Sequence, residues 1–110
     1  MGNASADGDP FDALGNPHRR AIVELLASRP RSVREIADKL PISRPAVSRH
    51  LRLLSKAGLV SDDAVGTQRL YHLQAQGAEA VQAYLTRIWG QTAARFRIFA
   101  ENTAPARGEG

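Results

Sequence analysis

Apolar residues recur three and four positions apart in four stretches of the chain, which is the spacing of one face of an α-helix. The four sets are Ala21, Ile22, Leu25 and Leu26; Val33, Ile36, Ala37 and Leu40; Val47, Leu51 and Leu54; and Val81, Leu85, Ile88, Trp89, Phe96 and Phe99. The first helix is expected to begin at Asn16-Pro17, because Asn is a good N-cap and Pro fits the first turn. Pro30 is expected to end it.

Two short helices are predicted in the middle of the chain, separated by the tight connection at residues 40–42. Ser32 and Glu35 have the spacing of a capping box, in which each side chain bonds the other residue's backbone N–H. Ser43 is a strong N-cap for the second helix, and Gly58 is suited to follow its end. We therefore expect a helix over residues 43–56.

A β-hairpin and a long helix are expected to complete the fold. Strands are predicted over Leu59–Asp63 and Gln68–Leu73, joined by a turn at residues 64–67 that contains Gly66. A helix then runs from about Ala75 to Ala100, and a short helical turn is expected over residues 11–14. The element order α-α-α-α-β-β-α predicts a winged helix-turn-helix, which is mainly α with a β-hairpin wing. One domain is expected over residues 10–100, between a disordered N-terminal tail at 1–9 and a flexible C-terminal tail at 101–110.

Positive charge is concentrated around the two short helices. The chain of 110 residues carries a formal net charge of +4, but residues 29–56 hold eight basic side chains against two acidic ones, a net +6 in 28 residues. Such a segment is expected where phosphates are neutralised. The helix over 43–56 combines an apolar face with a polar, basic and acid-free face, as a helix in the DNA major groove requires.

We therefore predict contacts to double-stranded DNA from this helix and from the wing tip. The predicted contacts are Ser43, Arg44, Pro45, Ser48, Arg49, His50, Arg52 and Lys56 in the helix, and Thr67, Gln68 and Arg69 in the wing. Arginine can bond guanine bidentately, while serine and lysine suit phosphates. Three alternatives stay open: the arginines form only a solvated helix face, Arg69 pairs with an aspartate of the first strand, and His50 packs on the protein surface.

The last helix predicts a homodimer. It holds four of the six aromatic residues, and at ~1.5 Å per residue it is ~39 Å long, more than this domain needs to cover its own core. The predicted dimer interface consists of Phe11, Leu14, Leu85, Ile88, Trp89, Phe96 and Phe99. A dimer would present two recognition helices about 34 Å apart, one turn of DNA. The alternative is that the helix packs back on its own domain.

Metal binding and catalysis find no support in the sequence. There are no cysteines, and His18, His50 and His72 are too scattered to suggest one metal site. No nucleophile arrangement or Gly-rich phosphate loop is present, so we expect neither an enzyme nor a cofactor. No apolar run approaches the ~20 residues of a membrane span, and the N-terminus is unlike a secretory signal, so we expect a cytoplasmic protein.

Residues 32–73, SVREIADKLPISRPAVSRHLRLLSKAGLVSDDAVGTQRLYHL, together with ALGNPHRRAIVELL at 13–26, resemble the ArsR-type winged-helix repressors. The resemblance covers about residues 11–99 and is strongest to a metal-independent, autorepressor-like subgroup. It implies a homodimer that binds an imperfect palindrome, often in its own promoter, and represses transcription. Two other functions remain possible: a ligand- or metal-responsive repressor of the same fold, and a winged-helix module that binds proteins.

Overall fold

The computed structural model describes residues 8–103, with side chains described as far as Thr92 and again at Arg95. Most of the two predicted tails, and the side chains of Phe96 and Phe99, therefore lie outside the described residues. The elements are α1 Pro10–Ala13, α2 Pro17–Ser28, α3 Val33–Lys39, α4 Arg44–Lys56, β1 Val60–Val65, β2 Gln68–Leu73 and α5 Ala75–Thr103. The predicted mainly helical fold with a two-stranded wing is confirmed. Helix α5 continues three residues beyond its predicted end.

The predicted helix starts are present with their capping bonds. The Asn16 side chain accepts from the backbone N–H groups of residues 18 and 19, and Ser43 accepts from the N–H of Ala46 at 3.2 Å. Ser32 and Glu35 form the reciprocal capping box. These caps satisfy backbone donors that a helix leaves unpaired at its start, so they set where α2, α3 and α4 begin.

The core lies where α2, α3 and α4 meet the base of the hairpin. Its buried members are Ala13, Ile22, Leu26, Ile36, Val47, Leu51, Leu54, Ala57, Leu59 and Val60. The inward faces predicted from helical spacing supply most of this set. Burying three residues of α4 in one cluster fixes which of its faces points outward.

The wing is a tighter hairpin than the sequence predicts. Strand β1 extends to Val65, which pairs with Gln68, so the loop is only Gly66-Thr67. Gly66 has φ +65°, a conformation that glycine adopts without strain, and a glycine first in a two-residue loop suits a hairpin. Asp62 and its neighbours therefore lie in a regular ladder.

Arg31 adds a third segment to the wing and is not part of the exposed basic surface. Its backbone N–H and C=O both bond Tyr71 of β2, at 3.0 and 2.8 Å. Its side chain is buried, with Nε donating to the Leu25 carbonyl at 3.1 Å and Nη2 donating to Ser28 Oγ at 2.9 Å. A cation at the C-terminal end of α2 is favourable because the last carbonyls of a helix carry partial negative charge.

The first turn of helix α5 makes a close backbone contact with the turn that follows α4. The Gly77 N–H in its first turn donates to the Gly58 carbonyl at 2.7 Å, and Gly77 is buried against this turn. Beyond it, α5 touches α1, where the Phe11 and Tyr84 rings meet edge to face with centroids 5.0 Å apart. The start of α5 is thus held by two glycines and its middle by α1.

Candidate nucleic-acid interface

Helix α4 has one buried face and one exposed basic face. Val47, Leu51 and Leu54 are at most 1% exposed, whereas four basic residues of the same helix are exposed. Those four are Arg44, Arg49, Arg52 and Lys56. No acidic residue occurs between them in the sequence. The exposed face can therefore approach the DNA backbone with no carboxylate of its own helix to repel it.

The start of α4 presents small and basic groups. Ser43, Arg44 and Pro45 are all exposed, and Ser48 is half-buried in a cleft that faces the wing. The Ser43 hydroxyl oxygen is engaged as the helix cap, which leaves its proton for a DNA acceptor. The first turn of a recognition helix is the part that meets base edges, so these residues are placed for contact.

His50 faces α2 more than it faces solvent. Its Nδ1 lies 3.4 Å from Nη1 of Arg19, and its ring centroid is 6.0 Å from that of His18. Partial burial lowers the pKa of His50, and the nearby charges of Arg19, His18 and Arg49 lower it further. The residue matches the packed alternative raised by the sequence, and it holds little positive charge near neutral pH.

The same Arg19 side chain ties His50 to the α1 turn. Its Nε donates to the Ala13 carbonyl at 2.8 Å, and Nη2 donates to the Asp12 carbonyl at 3.4 Å. The sequence does not predict the contact between Arg19 and His50, because nothing local signals a bond between residues 31 positions apart. Arg19 therefore connects α1, which contacts α5, to the recognition helix α4.

The acidic residues of the wing are paired with basic ones. Arg69 donates to Asp62 at 2.5 Å, and this bond raises the pKa of Arg69. His72 and Asp63 form the second pair, with Nε2 and Oδ2 3.1 Å apart. Each pair is diagonal across the antiparallel ladder. The cross-strand alternative for Arg69 is therefore the one found, while Thr67 and Gln68 remain exposed at the tip.

The middle of α5 carries an exposed apolar stripe. Tyr84, Leu85, Ile88 and Trp89 are 38–52% exposed, and Phe11 on α1 is 43% exposed beside them. Apart from the contact between Phe11 and Tyr84, the protein's own domain leaves this part of the stripe largely uncovered. Leu14, predicted for the same interface, is half-buried and packs against the core.

Two further observations concern metals and membranes. Among the side chains that the structure describes, at residues 8–92 and at Arg95, no three of His, Cys, Asp or Glu come together in a way that could hold a metal ion. Among the helices described, none has the length and apolar character needed to cross a bilayer.

Two short helices joined at a tight turn, a basic recognition helix and a β-hairpin wing define a winged helix-turn-helix DNA-binding protein. Residues 16–62 match the family model described as "Bacterial regulatory protein, arsR family". The chain belongs to the ArsR family and is a DNA-binding regulator or repressor of transcription, and not an enzyme.

Two relatives and one solved structure illustrate the similarity. The HTH-type transcriptional regulator Rv2034 of Mycobacterium tuberculosis is 49% identical over 79 residues, which cover 72% of this chain and 74% of that protein. The HTH-type transcriptional repressor SmtB of the same species is 41% identical over 68 residues, covering 62% of this chain and 50% of SmtB. A crystal structure titled "Possible transcriptional regulator for arsenical resistance" aligns with TM-score 0.68 and 38% identity, covering 74% and 84% of the two chains.

Proposed function

We propose that the chain is a homodimeric repressor whose two α4 helices occupy neighbouring major-groove segments of a palindromic operator. The observation that carries this proposal is the exposed apolar stripe of α5, which lies on a different element from the basic face of α4. A two-fold dimer built on the stripe would leave both recognition helices available to DNA. Two-fold symmetry in the protein implies two-fold symmetry in the operator.

The apolar stripe supports a second copy of the chain as its partner. Trp89 is 52% exposed, and its ring lies 6.3 Å from that of Tyr84, which in turn meets Phe11. Exposed aromatic residues grouped in this way are typical of interface centres and are uncommon on a monomeric surface. The proposed DNA-binding and dimerisation domain covers residues 10–100, after the tail proposed at 1–9. Because α5 continues to Thr103, the C-terminal tail proposed at 101–110 would begin only after that residue.

DNA contact is assigned to the exposed start and outer face of α4. Arg49 is the candidate for guanine contacts, with Ser48 beside it, and Arg44, Arg52 and Lys56 are directed to phosphates. Thr67 and Gln68 at the wing tip are placed for a neighbouring groove or phosphate. The family model describes bacterial regulatory proteins, whose DNA lies in the cytoplasm, so we propose a cytoplasmic location. We also propose the protein's own promoter as one operator.

A footprint of the purified protein on its own upstream DNA tests the proposal. We expect protection of an imperfect palindrome with two half-sites about one helical turn apart, unchanged by added divalent metal. Protection of a single half-site would contradict the dimer arrangement. Release of the footprint by metal would instead indicate a metal-responsive repressor.

Trp89→Glu tests the interface separately from DNA binding. We expect light scattering to show a dimer for the wild type and a monomer for the variant, because a buried unpaired carboxylate opposes association. Val65→Glu is the matched control, since Val65 is equally exposed at 53% but lies on the wing. A dimer that survives Trp89→Glu would place the interface elsewhere.

A further inference from the structure

Three arginines from three separate elements line one cleft beside the recognition helix. The cleft has a volume of about 370 Å³ and opens between the start of α3, the start of α4 and the wing tip. It is lined by Ser32, Val33, Arg34, Arg44, Gln68 and Arg69. Arg34 and Arg44 are separated by ten positions in the sequence, and Arg69 by twenty-five more, so only the fold brings them together.

No carboxylate is among the residues that line the cleft, and two acidic side chains beside that lining are already engaged. Glu35 bonds the Ser32 backbone N–H at 2.9 Å and pairs with Arg29, which lowers the pKa of its carboxyl group. Asp62 pairs with Arg69. Within residues 8–92, Arg34 and Arg44 form no ion pair. The residues that line the cleft therefore carry positive charge that no carboxylate in the lining offsets.

We propose that this cleft binds one backbone phosphate of the operator, with Arg34 and Arg44 as its principal donors. A guanidinium matches the geometry of phosphate oxygens and can donate two parallel hydrogen bonds. The Ser32 hydroxyl accepts from the Glu35 N–H, so its proton can be donated to the same phosphate. The proposal rests on the proposed function, and it adds Arg34 and Ser32 to the DNA contacts.

The location of the cleft gives the bound phosphate a positioning role. It joins the first turn of α4, which meets base edges, to the start of α3 and to the wing. A phosphate held there would fix the depth and register of α4 in the groove without reading any base. Arg34 is therefore expected to affect affinity for all sequences alike, whereas a base-contacting arginine affects the choice among them.

Arg34→Gln is the direct test, with Lys39→Gln as its control. Both variants remove one exposed positive charge from α3, but Lys39 lies at the far end of that helix and does not line the cleft. We expect Arg34→Gln to weaken binding about tenfold on operator and scrambled duplexes alike. Since a dimer carries two copies, the slope of log affinity against log salt should fall by ~1.8. Binding equal to that of Lys39→Gln would overturn the proposal.

Neutral methylphosphonate replacements, made one at a time along the operator, identify the phosphate. The wild type should lose affinity at one position in each half-site, and Arg34→Gln should be indifferent to that same position. An unchanged pattern of sensitive positions in Arg34→Gln would refute the assignment. If the wild type fails to bind its operator at all, the proposed function fails as well, so the two failures are distinguishable.

Arg69 lines the cleft but can bind the phosphate only by exchanging its partner. Asp62 holds it in the unbound protein, so a phosphate would have to compete with this carboxylate. We expect Asp62→Asn to tighten binding about two- to threefold, and this gain to shrink when Arg69→Gln is also present. An equal gain with and without Arg69 would remove Arg69 from the site and leave Arg34 and Arg44.

Discussion

Gly77 is a position at which a single methyl group should disturb both the fold and the proposed dimer. A β-carbon built there would overlap the Ala57 carbonyl oxygen and lie 2.9 Å from Leu59 Cδ2 and 3.0 Å from the Gly58 carbonyl carbon. Two of these three neighbours are backbone atoms, which cannot rotate away as a long side chain would. Gly77→Ala must therefore displace the start of α5 from the turn after α4.

The expected change in the free energy of unfolding of Gly77→Ala follows from two opposing effects. Overpacking at a tight site costs about 1–3 kcal/mol, and the displacement also weakens the 2.7 Å bond from the Gly77 N–H to the Gly58 carbonyl. Alanine in a helix is favoured over glycine by roughly 1 kcal/mol. We expect a net loss of about 1–2 kcal/mol in the free energy of unfolding, or a Tm lower by roughly 5–10 °C.

Thermal unfolding of the wild type and of Gly77→Ala, at the same protomer concentration, provides the assay. The concentration is fixed because the Tm of a dimer depends on it. Gly90→Ala is the control on the same helix: its β-carbon meets only Thr86 Cγ2, at 3.4 Å, so it should be neutral or stabilising by up to ~1 kcal/mol. Gly77→Ala should also weaken palindrome binding more than half-site binding, since in the proposed dimer α5 sets the spacing of the two α4 helices. A Tm for Gly77→Ala at or above that of the wild type would refute this account of the contact.

Three further predictions concern single side chains. Arg49→Ala should weaken operator binding by ~1–3 kcal/mol and relax sequence preference; equal losses on operator and random DNA would show that Arg49 touches only phosphate. Arg31→Ala should lower the free energy of unfolding by about 1–3 kcal/mol because it leaves the Leu25 carbonyl without its buried donor. Arg29→Ala should change it by only a few tenths, and urea titrations compare the two. Since the pKa of His50 is lowered in the folded state, its protonation favours unfolding, and stability should fall as pH drops below about 6.5. His50→Gln should flatten that part of the pH profile, and an unchanged profile would mean that other groups cause it.

The sequence predicts where α2, α3 and α4 begin because the capping interactions are local. Ser32 and Glu35 are three residues apart, and their reciprocal bonds form within a single turn. Ser43 acts in the same way at the start of α4. The inward face of α4 is equally local, since residues spaced three and four apart lie on one side of a helix whatever surrounds it.

The roles of individual basic residues were not accessible in this way. Arg31, Arg34 and Arg69 each add one positive charge to the sequence, but their surroundings differ. Arg31 is buried at the C-terminal end of α2, Arg34 lines an open cleft, and Arg69 is paired with Asp62. A charge count treats them as equivalent. Their roles differ because the fold places different groups, from elements distant in the sequence, beside each guanidinium.

The sequence by itself determined the element order, the caps, the buried face of α4 and the family to which the chain belongs. These depend on interactions within a few residues, or on a pattern that recurs throughout the family. Only the tertiary structure decided that His50 turns to Arg19, that Arg31 is buried, and that Arg34 and Arg44 share a cleft. The physical reason is that electrostatic and hydrogen-bonding roles depend on distances of 3–4 Å, and packing sets those distances between residues remote in the chain.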